Sequence, residues 1–354
     1  MVNTDRTLNV GLIGYGLGGA TFHAPFISIT PGLHLSAVMT SDPARRAAVV
    51  ERYSHVRLAS DLDELLGGTP KLDLISISSP NATHFPLARA ALEAGAHVVV
   101  DKPFAATVAQ AREIEALAAR VGRIAIPFQN RRWDGDFLTV QQLMRDGKLG
   151  SVHRFESRFE RWRPIPKAGW CRPDAAERAE DILYDLGTHL IDQALVLFGP
   201  VASVYAELDV RNPEVVTIDD AFIALTHVSG VLTHLYTTTT AGILGARMNV
   251  FGSRGAYVKF GLDPQEDILR AGGRPGTPHW GEEPKERWGS LGAGPVSERV
   301  PTVPGAYQEF YAGVARATRE GAAPPVLISE VAAGLEIIEA ANKSSRHKEI
   351  VVLR

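Results

Sequence analysis

Apolar and polar positions alternate in two different ways along this chain, and the change comes near residue 128. Before that point, short continuous apolar runs, typical of strands buried on both faces, alternate with runs of helical periodicity. The predicted strands are 8–13, 33–39, 72–76, 97–100 and 123–126, and the predicted helices begin near 17 and then cover 43–52, 85–94 and 108–120. Strands that alternate with helices predict right-handed crossovers and a doubly wound parallel sheet.

After residue 128 the pattern is typical of neighbouring strands joined by short turns, which predicts a mainly antiparallel sheet. The predicted strands are 152–162, 201–208, 221–227, 231–239, 247–251, 256–260 and 349–353, with a tight connection at Gly230. Helices are predicted at 134–145, 181–197, 306–319 and 329–343, and residues 271–304, rich in Gly and Pro, are predicted to form a loop. Since 354 residues exceed one ordinary core, we expect two α/β domains, 1–128 and 129–354.

Three glycines near the N-terminus have the spacing of a dinucleotide-binding turn. Gly14, Gly16 and Gly19 follow an apolar strand and open a predicted helix. Glycines let the backbone approach a pyrophosphate, and the first N–H groups of the helix point at that anion. The alternative is a glycine-rich loop that only packs a helix on a sheet. The position at a strand–helix junction favours cofactor binding.

The end of the second predicted strand bears on which cofactor binds. An NAD-preferring turn places an acid there, about 20 residues after the glycines, to bind the ribose hydroxyls. Here the strand ends at Thr40 and Ser41, and Asp42 precedes a proline and suits a helix N-cap. Arg45 and Arg46 follow, either near a 2′-phosphate or on a solvated helix face. The sequence therefore predicts NADP, with NAD as the alternative.

Two further strand ends carry candidate ligand-binding residues, because ligands bind beyond the carboxyl ends of strands in open α/β sheets. Lys102, in the sequence DKP, follows one strand and could reach both cofactor and substrate; the alternative is a surface lysine. The following proline restricts the backbone there. Asn81 and His84 follow another strand and are predicted to contact the nicotinamide half of the cofactor. The alternative is a helix N-terminus capped by Asn81 or Thr83.

Asp185 and His189 are four residues apart in a predicted helix, which places both on one face. Histidine titrates near neutrality and is suited to removing a proton from a hydroxyl group. Asp185 could favour the imidazolium or bind the same substrate. The alternatives are a capping or salt-bridging pair and a metal site, which two ligands alone support poorly, so no metal is predicted. Asp192 is interpreted as structural.

Composition excludes several classes of protein. The hydrophobic share is 45%, the net charge is -3, and no basic block predicts a nucleic-acid partner. Arginines and a tryptophan cluster at 130–134 and continue at 154–163, which is interpreted as a polyol pocket or an ion network between domains. No apolar stretch reaches membrane-spanning length, and the N-terminus lacks a signal core. The single cysteine, Cys171, excludes an internal disulfide, so a cytoplasmic protein is expected.

Separate blocks of the chain resemble one known family. The sequences VGLIGYG, DKP and DLGTH, in this order, resemble the glucose–fructose oxidoreductase / inositol dehydrogenase (Gfo/Idh/MocA) family. The blocks FHAP at 22–25, NRRWDGDFLT at 130–139 and YVKFGLDPQED at 257–267 are similar to a branch that includes NADP-dependent scyllo-inositol dehydrogenase-like proteins. The resemblance implies an N-terminal Rossmann domain with a doubly wound parallel sheet, plus a C-terminal α/β domain with a large, mainly antiparallel sheet. Members often oligomerise through that sheet, so a homo-oligomer, dimer or tetramer, is expected.

The resemblance also implies roles for individual residues. The family lysine matches Lys102, the family Asp and His match Asp185 and His189, and many members carry Glu where this chain has Asp101. The expected function is that of an NAD(P)-dependent oxidoreductase acting on a cyclic polyol or sugar. The alternative is a sensor that binds nucleotide and sugar without turnover, which the presence of all three polar residues disfavours.

Overall fold

The computed structural model describes residues 6–353, which form two compact units. The first unit contains the chain up to Asn130 together with Gln265–Trp280 and Ala306–Val331. The second contains Arg131–Pro264, Gly281–Gly305 and the chain from Ala332 onward. The single boundary predicted near residue 128 takes no account of the two later segments of the first unit, because the apolar face of a helix does not specify which core it covers.

The described residues form fifteen strands, and all except β3, β13 and β14 follow predicted apolar runs within a few residues. In chain order they are β1 Leu8–Ile13, β2 Leu33–Met39, β3 Arg57–Ala59, β4 Leu74–Ile77, β5 His97–Val100, β6 Ala125–Pro127, β7 Val152–Glu160, β8 Val201–Asp209, β9 Asp220–His227, β10 Leu232–Thr238, β11 Met248–Gly252, β12 Gly255–Lys259, β13 Gly289–Ala293, β14 Val296–Val300 and β15 Val351–Val352.

The α-helices of the described residues are, in chain order, α1 Ala24–Ile29, α2 Pro43–Arg52, α3 Leu62–Gly67, α4 His84–Glu93, α5 Val108–Val121, α6 Gly135–Arg145, α7 Thr188–Phe198, α8 Gln265–Arg270, α9 Gln308–Glu320 and α10 Ile328–His347. Two π-helical turns, Gly19–His23 and Leu183–Gly187, directly precede α1 and α7. The helix predicted to begin near residue 17 and the one predicted at 181–197 therefore each contain a π turn.

The first unit is built on a parallel sheet of six strands in the order β3-β2-β1-β4-β5-β6. This is the doubly wound Rossmann order, so the predicted fold of the N-terminal part is confirmed. Its central strands are apolar and almost completely buried, as expected for strands covered on both faces. The strand order reverses between β1 and β4, while all strands run parallel, and the carboxyl ends of β1, β4 and β5 therefore form the edge where a ligand is expected.

The second unit is built on a sheet of nine strands in the order β14-β13-β12-β11-β7-β10-β9-β8-β15. Its pairs are antiparallel except β7 with β10, so the predicted mainly antiparallel sheet is confirmed. On β7 the residues Phe155, Ser157 and Phe159 are buried and alternate with partly exposed charged residues. Helix α7 packs on β7 and β10, and Ser344 of α10 accepts the N–H of Ala206 in β8 at 3.0 Å.

The prediction of a loop over residues 271–304 was wrong in part. The segment contains β13 and β14, which extend the large sheet at one edge. Neither strand has the apolar alternation of a core strand, since β14 is exposed at nearly every position and β13 contains two glycines. Short strands at a solvated edge bury few apolar side chains, so periodicity alone does not reveal them. The edge strand β3 was missed for the same reason, and α3 and α8 were missed because six residues are too few to show a helical period.

Candidate functional site

Two of the three glycines in the first turn are required by close contacts within the protein's own backbone. Gly14 has φ +90°, and a Cβ built on it would lie 2.2 Å from the carbonyl oxygen of Ser78. A Cβ on Gly19 would lie 2.0 Å from the carbonyl oxygen of Gly14. Any side chain at either position would collide with backbone that cannot move independently. These glycines therefore hold the turn against the end of β4.

Gly16 differs from them, because the protein leaves space at this position. The nearest atom to a Cβ built there is the Arg45 guanidinium nitrogen Nη1, at 3.7 Å. An approach to the backbone at Gly16 is therefore open and flanked by a positive charge. A phosphate group fits such a place, since it needs close contact with main-chain N–H groups and a nearby cation.

The residues at the end of β2 are neutral, and the acid that follows them, Asp42, has its Oδ2 at 3.9 Å from the Arg45 guanidinium Nε. The N–H of Thr40 donates to the carbonyl oxygen of Ala59 at 3.1 Å, and Ser41 is exposed. Asp42 caps α2, because its carboxylate accepts the N–H of Arg45 at 2.9 Å. Arg46 donates to the carbonyl oxygen of Thr40 at 3.1 Å and so supports the backbone of this corner. Of the two arginines, Arg45 is the one beside the glycine turn.

His84 connects the two loops that follow β4 and β5. Its ring is 1% exposed, with Nδ1 at 2.8 Å from the carbonyl oxygen of Pro103 and Nε2 at 2.8 Å from that of Ser79. Both nitrogens thus face protein acceptors, and the best supported role of His84 is to set the spacing of these loops. Asn81, in the 3-10 turn Asn81–Thr83, precedes it at the same edge. Cofactor contact by either residue stays a prediction.

Lys102 follows β5 at the carboxyl edge of the sheet, where the sequence predicts it. It is partly buried, and its backbone N–H donates to the Asp101 carboxylate Oδ1 at 2.7 Å. The first unit therefore places Lys102, the glycine turn and the loop after β4 along one edge of one sheet. A cofactor at this edge would have its phosphates at the glycine turn and a cation within the same unit.

In the second unit, Asp185 lies in the π turn and His189 in the first turn of α7. The sequence predicts a continuous α-helix there, and the π turn changes the angle between the two side chains from the expected value, because each π turn contains an extra residue. His189 is 5% exposed, and its ring centroid lies 6.5 Å from that of Phe159. A buried histidine next to an aromatic ring is shielded from water, which suits a proton acceptor.

Two residues near this pair were missed by the sequence analysis. The Lys167 ammonium contacts the Asp185 carboxylate and lies 5.3 Å from the ring centroid of Trp170. Asp181 is almost fully buried and lies one turn before Asp185. Burial, and to a smaller extent the charge of Asp185, raise the pKa of Asp181 from 3.8 to about 6. Hydrogen bonds from N–H groups of the turn act in the opposite direction. Lys167 lies in a segment without periodicity, and Asp181, as an acid near the start of a helix, resembles an ordinary N-cap. The sequence pattern therefore marks neither of them as a functional residue.

The arginine cluster forms ion pairs within the second unit. Arg132 binds Asp192 through two nitrogens at 2.9 and 2.7 Å, which gives Asp192 the structural role predicted for it. Arg131 pairs with Asp134 at 3.3 Å, and its guanidinium carbon lies 4.8 Å from the ring centroid of Phe159. This part of the cluster is therefore an ion network within one unit, and the predicted polyol pocket or network between domains stays a prediction.

The described residues 6–353 also bear on metal binding and on membrane insertion. Among them, no three His, Cys, Asp or Glu side chains are grouped so that they could hold a metal ion. No helix in this part of the chain is long and apolar enough to cross a membrane.

Comparison with known proteins gives full-length matches. Residues 8–128 match the Gfo/Idh/MocA oxidoreductase family with its NAD-binding Rossmann fold, and residues 141–353 match the C-terminal alpha/beta domain of that family. The uncharacterized oxidoreductase YdgJ of Escherichia coli (strain K12) is 42% identical over 98% of this chain and 99% of its own. The scyllo-inositol 2-dehydrogenase (NADP(+)) IolW of Bacillus subtilis (strain 168) is 33% identical over 98% and 96%. The solved structure of the oxidoreductase yvaA from Bacillus subtilis has a TM-score of 0.92 at 33% identity, covering 99% of both chains.

Proposed function

Because the chain belongs to the Gfo/Idh/MocA oxidoreductase family, we propose that it transfers a hydride between NADP and a hydroxyl-bearing carbon of a cyclic polyol or sugar. The observation that carries the choice of cofactor is the end of β2, where Thr40 and Ser41 are neutral and Arg45 follows in α2. The substrate class rests on the resemblance and on the relative whose name states scyllo-inositol and NADP(+).

NADP is favoured over NAD by charge at the end of β2. A ribose 2′-phosphate is a dianion at neutral pH, so it is attracted by a guanidinium and repelled by a carboxylate. Thr40 and Ser41 are neutral, and the carboxylate of Asp42 is engaged in the cap of α2. Arg45 supplies the positive charge. NAD lacks this phosphate, so Arg45 can act only on its pyrophosphate at Gly16, and NAD gains less from the guanidinium.

In the proposed reaction, the bound nicotinamide supplies the hydride acceptor. His189 takes the proton of the substrate hydroxyl on a ring nitrogen as the carbon–hydrogen bond breaks. The Lys102 ammonium donates a hydrogen bond to the same oxygen and stabilises the negative charge that develops on it. Asp185 orients His189 or a neighbouring hydroxyl, and the Lys167 ammonium compensates its charge. In the reverse direction, His189 returns the proton to the oxygen.

We also propose that the protein is a homo-oligomer, dimer or tetramer, in a reducing cytoplasm. The large sheet has one face covered by helices, whereas the other carries Phe222, Tyr236 and Arg158 in mutual contact, with ring centroids 5.0 Å apart and the guanidinium carbon 4.3 Å above the tyrosine ring. Aromatic and arginine side chains are enriched in protein interfaces. The cytoplasmic proposal rests on the lone, exposed Cys171.

The proposed activity is tested by mixing the purified protein with NADP+ or NAD+ and a panel of inositol isomers and aldoses, and following the absorbance of reduced cofactor. We expect turnover with at least one cyclic polyol or sugar and a higher kcat/KM with NADP+. Tight binding of NADPH without turnover on any panel member would instead indicate a nucleotide-binding sensor. A higher kcat/KM with NAD+ would contradict the choice of cofactor.

The role of Arg45 gives a separate prediction. Arg45→Ala should weaken NADPH binding about tenfold or more, the effect of losing one charge-assisted contact, and should weaken NADH binding less, because NADH keeps only the pyrophosphate. Fluorescence titration with both cofactors measures this. Arg120→Ala, which removes an exposed arginine from α5, is the matched control. Equal losses for NADPH and NADH in Arg45→Ala would show that Arg45 does not read the 2′-phosphate.

A further inference from the structure

A buried histidine in the first unit contacts Asp101, the residue that precedes Lys102. His23 ends the π turn after the glycines and is fully buried. Its Nδ1 lies 2.7 Å from the Tyr311 hydroxyl and 3.0 Å from that of Ser76, and its Nε2 lies 3.3 Å from Asp101 Oδ2. Burying an imidazole beside the Phe128 ring, whose centroid is 4.2 Å away, is costly unless polar partners compensate for lost water.

Asp101 connects this histidine to the backbone of Lys102. Its Oδ2 accepts a hydrogen bond from the Ser78 hydroxyl at 2.8 Å, and its Oδ1 accepts the Lys102 N–H at 2.7 Å. Burial acts to raise the pKa of the Asp101 carboxyl, but the hydrogen bond and charge of His23, with the charges of Lys102 and His84, outweigh it and hold the pKa well below its usual range. The surroundings of Asp101 therefore favour its carboxylate form, and each of its two oxygens accepts a hydrogen bond.

The glycine turn rests on the same carboxylate. A Cβ built on Gly18 would lie 2.4 Å from the Ser78 hydroxyl and 2.9 Å from Asp101 Oδ2. The nucleotide-binding turn, the end of β4 and the Lys102 loop thus meet at Asp101. A change at this carboxylate would therefore reach both the turn and the lysine.

We propose that Asp101 and His23 are positioning residues, which together fix the main chain of Lys102 relative to the glycine turn. The inference rests on the proposed function, because it assigns the pair to the hydride-transfer reaction in which Lys102 acts. Neither residue needs to touch substrate. Tyr311 and Ser76 hold the far side of the His23 ring, so the ring stays directed at Asp101.

The structure offers a matched control at the opposite edge of the same sheet. Asp73 precedes β4, and its carboxylate accepts the N–H of Asn9 at 2.9 Å and pairs with Arg6 at 2.6 Å. Like Asp101, it is a partly buried carboxylate that binds main chain and a cation. It lies at the amino ends of the strands, away from the edge where ligands bind. A structural contribution alone would make Asp73→Asn and Asp101→Asn behave alike.

The kinetic test compares kcat, KM and the Kd for NADPH in the intact enzyme. Asp101→Asn keeps the size of the side chain and removes its charge; we expect kcat to fall about tenfold to hundredfold, the cost of a displaced catalytic group, with the Kd nearly unchanged. Asp101→Glu restores the charge and should recover part of kcat. His23→Gln should resemble Asp101→Asn, and the two losses should not add, because both break one pair. Asp73→Asn should leave kcat unchanged.

A second measurement does not depend on turnover. Nitrogen NMR of histidine-labelled protein, with the His23 signal assigned through His23→Gln, should show that signal moving in Asp101→Asn and not in Asp73→Asn. An unmoved signal, or an unchanged kcat in Asp101→Asn of an active enzyme, overturns the inference and leaves the proposed function intact. If the wild type turns over no substrate, the proposed function fails, and the NMR comparison alone then decides whether the pair exists.

Discussion

At the scale of single residues, the three glycines of one motif are needed for different physical reasons. Gly14 and Gly19 are glycines because backbone atoms lie 2.2 and 2.0 Å from where a Cβ would be, whereas a Cβ at Gly16 would make only an ordinary contact with the Arg45 guanidinium. The protein alone would tolerate a side chain at Gly16. The absence of one is explained by a ligand that approaches the backbone there, which is the proposed role of the cofactor pyrophosphate.

This difference gives a prediction for substitutions at the two positions. Gly16→Val should abolish measurable NADPH binding and leave the thermal midpoint of unfolding nearly unchanged, because a Cβ at this position has only the flexible Arg45 side chain within 4 Å. Gly14→Ala should lower that midpoint, since its Cβ meets a carbonyl oxygen and φ is +90°. Fluorescence titration and thermal unfolding of both variants measure the two effects. Normal NADPH binding by Gly16→Val would disprove the assigned place of the pyrophosphate.

The sequence predicted the residues that sit at ends of regular elements and missed those that depend on tertiary contacts. Lys102 was found because it follows a buried strand, and ligands bind at such ends. Lys167 and the His23–Asp101 contact were not found, because their partners are distant in the chain and nothing local encodes the pairing. The same limit explains why the contacts of both His84 ring nitrogens with carbonyl oxygens of the protein were not predicted.

At the scale of elements, the turn before α7 combines a π-helical turn with a buried acid. Asp181 accepts the N–H of Tyr184 at 3.0 Å, and burial followed by the charge of Asp185 raises its pKa to about 6. In the unfolded chain an aspartate has a pKa near 4, so folding takes up a proton when the pH lies between the unfolded and the folded pKa. Stability therefore falls as pH rises through this window, and at neutral pH the buried charge lowers the free energy of unfolding by at most about 3 kcal/mol.

Asp181→Asn should remove this cost and keep an oxygen that accepts the Tyr184 N–H. We expect the variant to exceed the wild type in free energy of unfolding near neutral pH, by up to about 3 kcal/mol, and to lose that advantage near pH 4. Urea unfolding followed by circular dichroism at both pH values measures it. Asp61→Asn, at the exposed cap of α3 where Asp61 accepts the Glu64 N–H at 2.8 Å, should show no such gain. A loss of stability in Asp181→Asn at neutral pH would show that the carboxylate is stabilising.

At the scale of the whole molecule, apolar alternation predicted both sheets, but the arrangement of the strands needed the structure. The strands of the nine-stranded sheet alternate between buried and partly exposed residues, which the sequence already indicated. The parallel pairing of β7 with β10 places strands side by side that are far apart in sequence. No local pattern specifies such a pairing, and edge strands such as β14 lack even the alternation.

The outer face of this sheet gives a prediction for assembly. Tyr236 lies among Phe222, His234 and Arg158 on that face, so Tyr236→Glu would bury an unpaired charge if a second copy packs there. Light scattering coupled to size-exclusion chromatography should show an oligomer for the wild type and a monomer for Tyr236→Glu. Val50→Glu, at an exposed position of α2, should keep the mass of the wild type. An unchanged mass for Tyr236→Glu would place the interface elsewhere.

Single-turnover kinetics test most directly whether Lys102 and His189 assist hydride transfer in an active dehydrogenase. Enzyme saturated with NADP+ and an accepted polyol is mixed rapidly, and the formation of reduced cofactor is followed in wild type, Lys102→Met and His189→Asn. We predict a rate lower by about two orders of magnitude or more in both variants, the usual effect of removing a positioned acid or base, with nearly unchanged NADPH binding. Lys71→Met and His153→Asn, at exposed positions, should react like the wild type. Rates within a few-fold of the wild type in both Lys102→Met and His189→Asn would contradict the account.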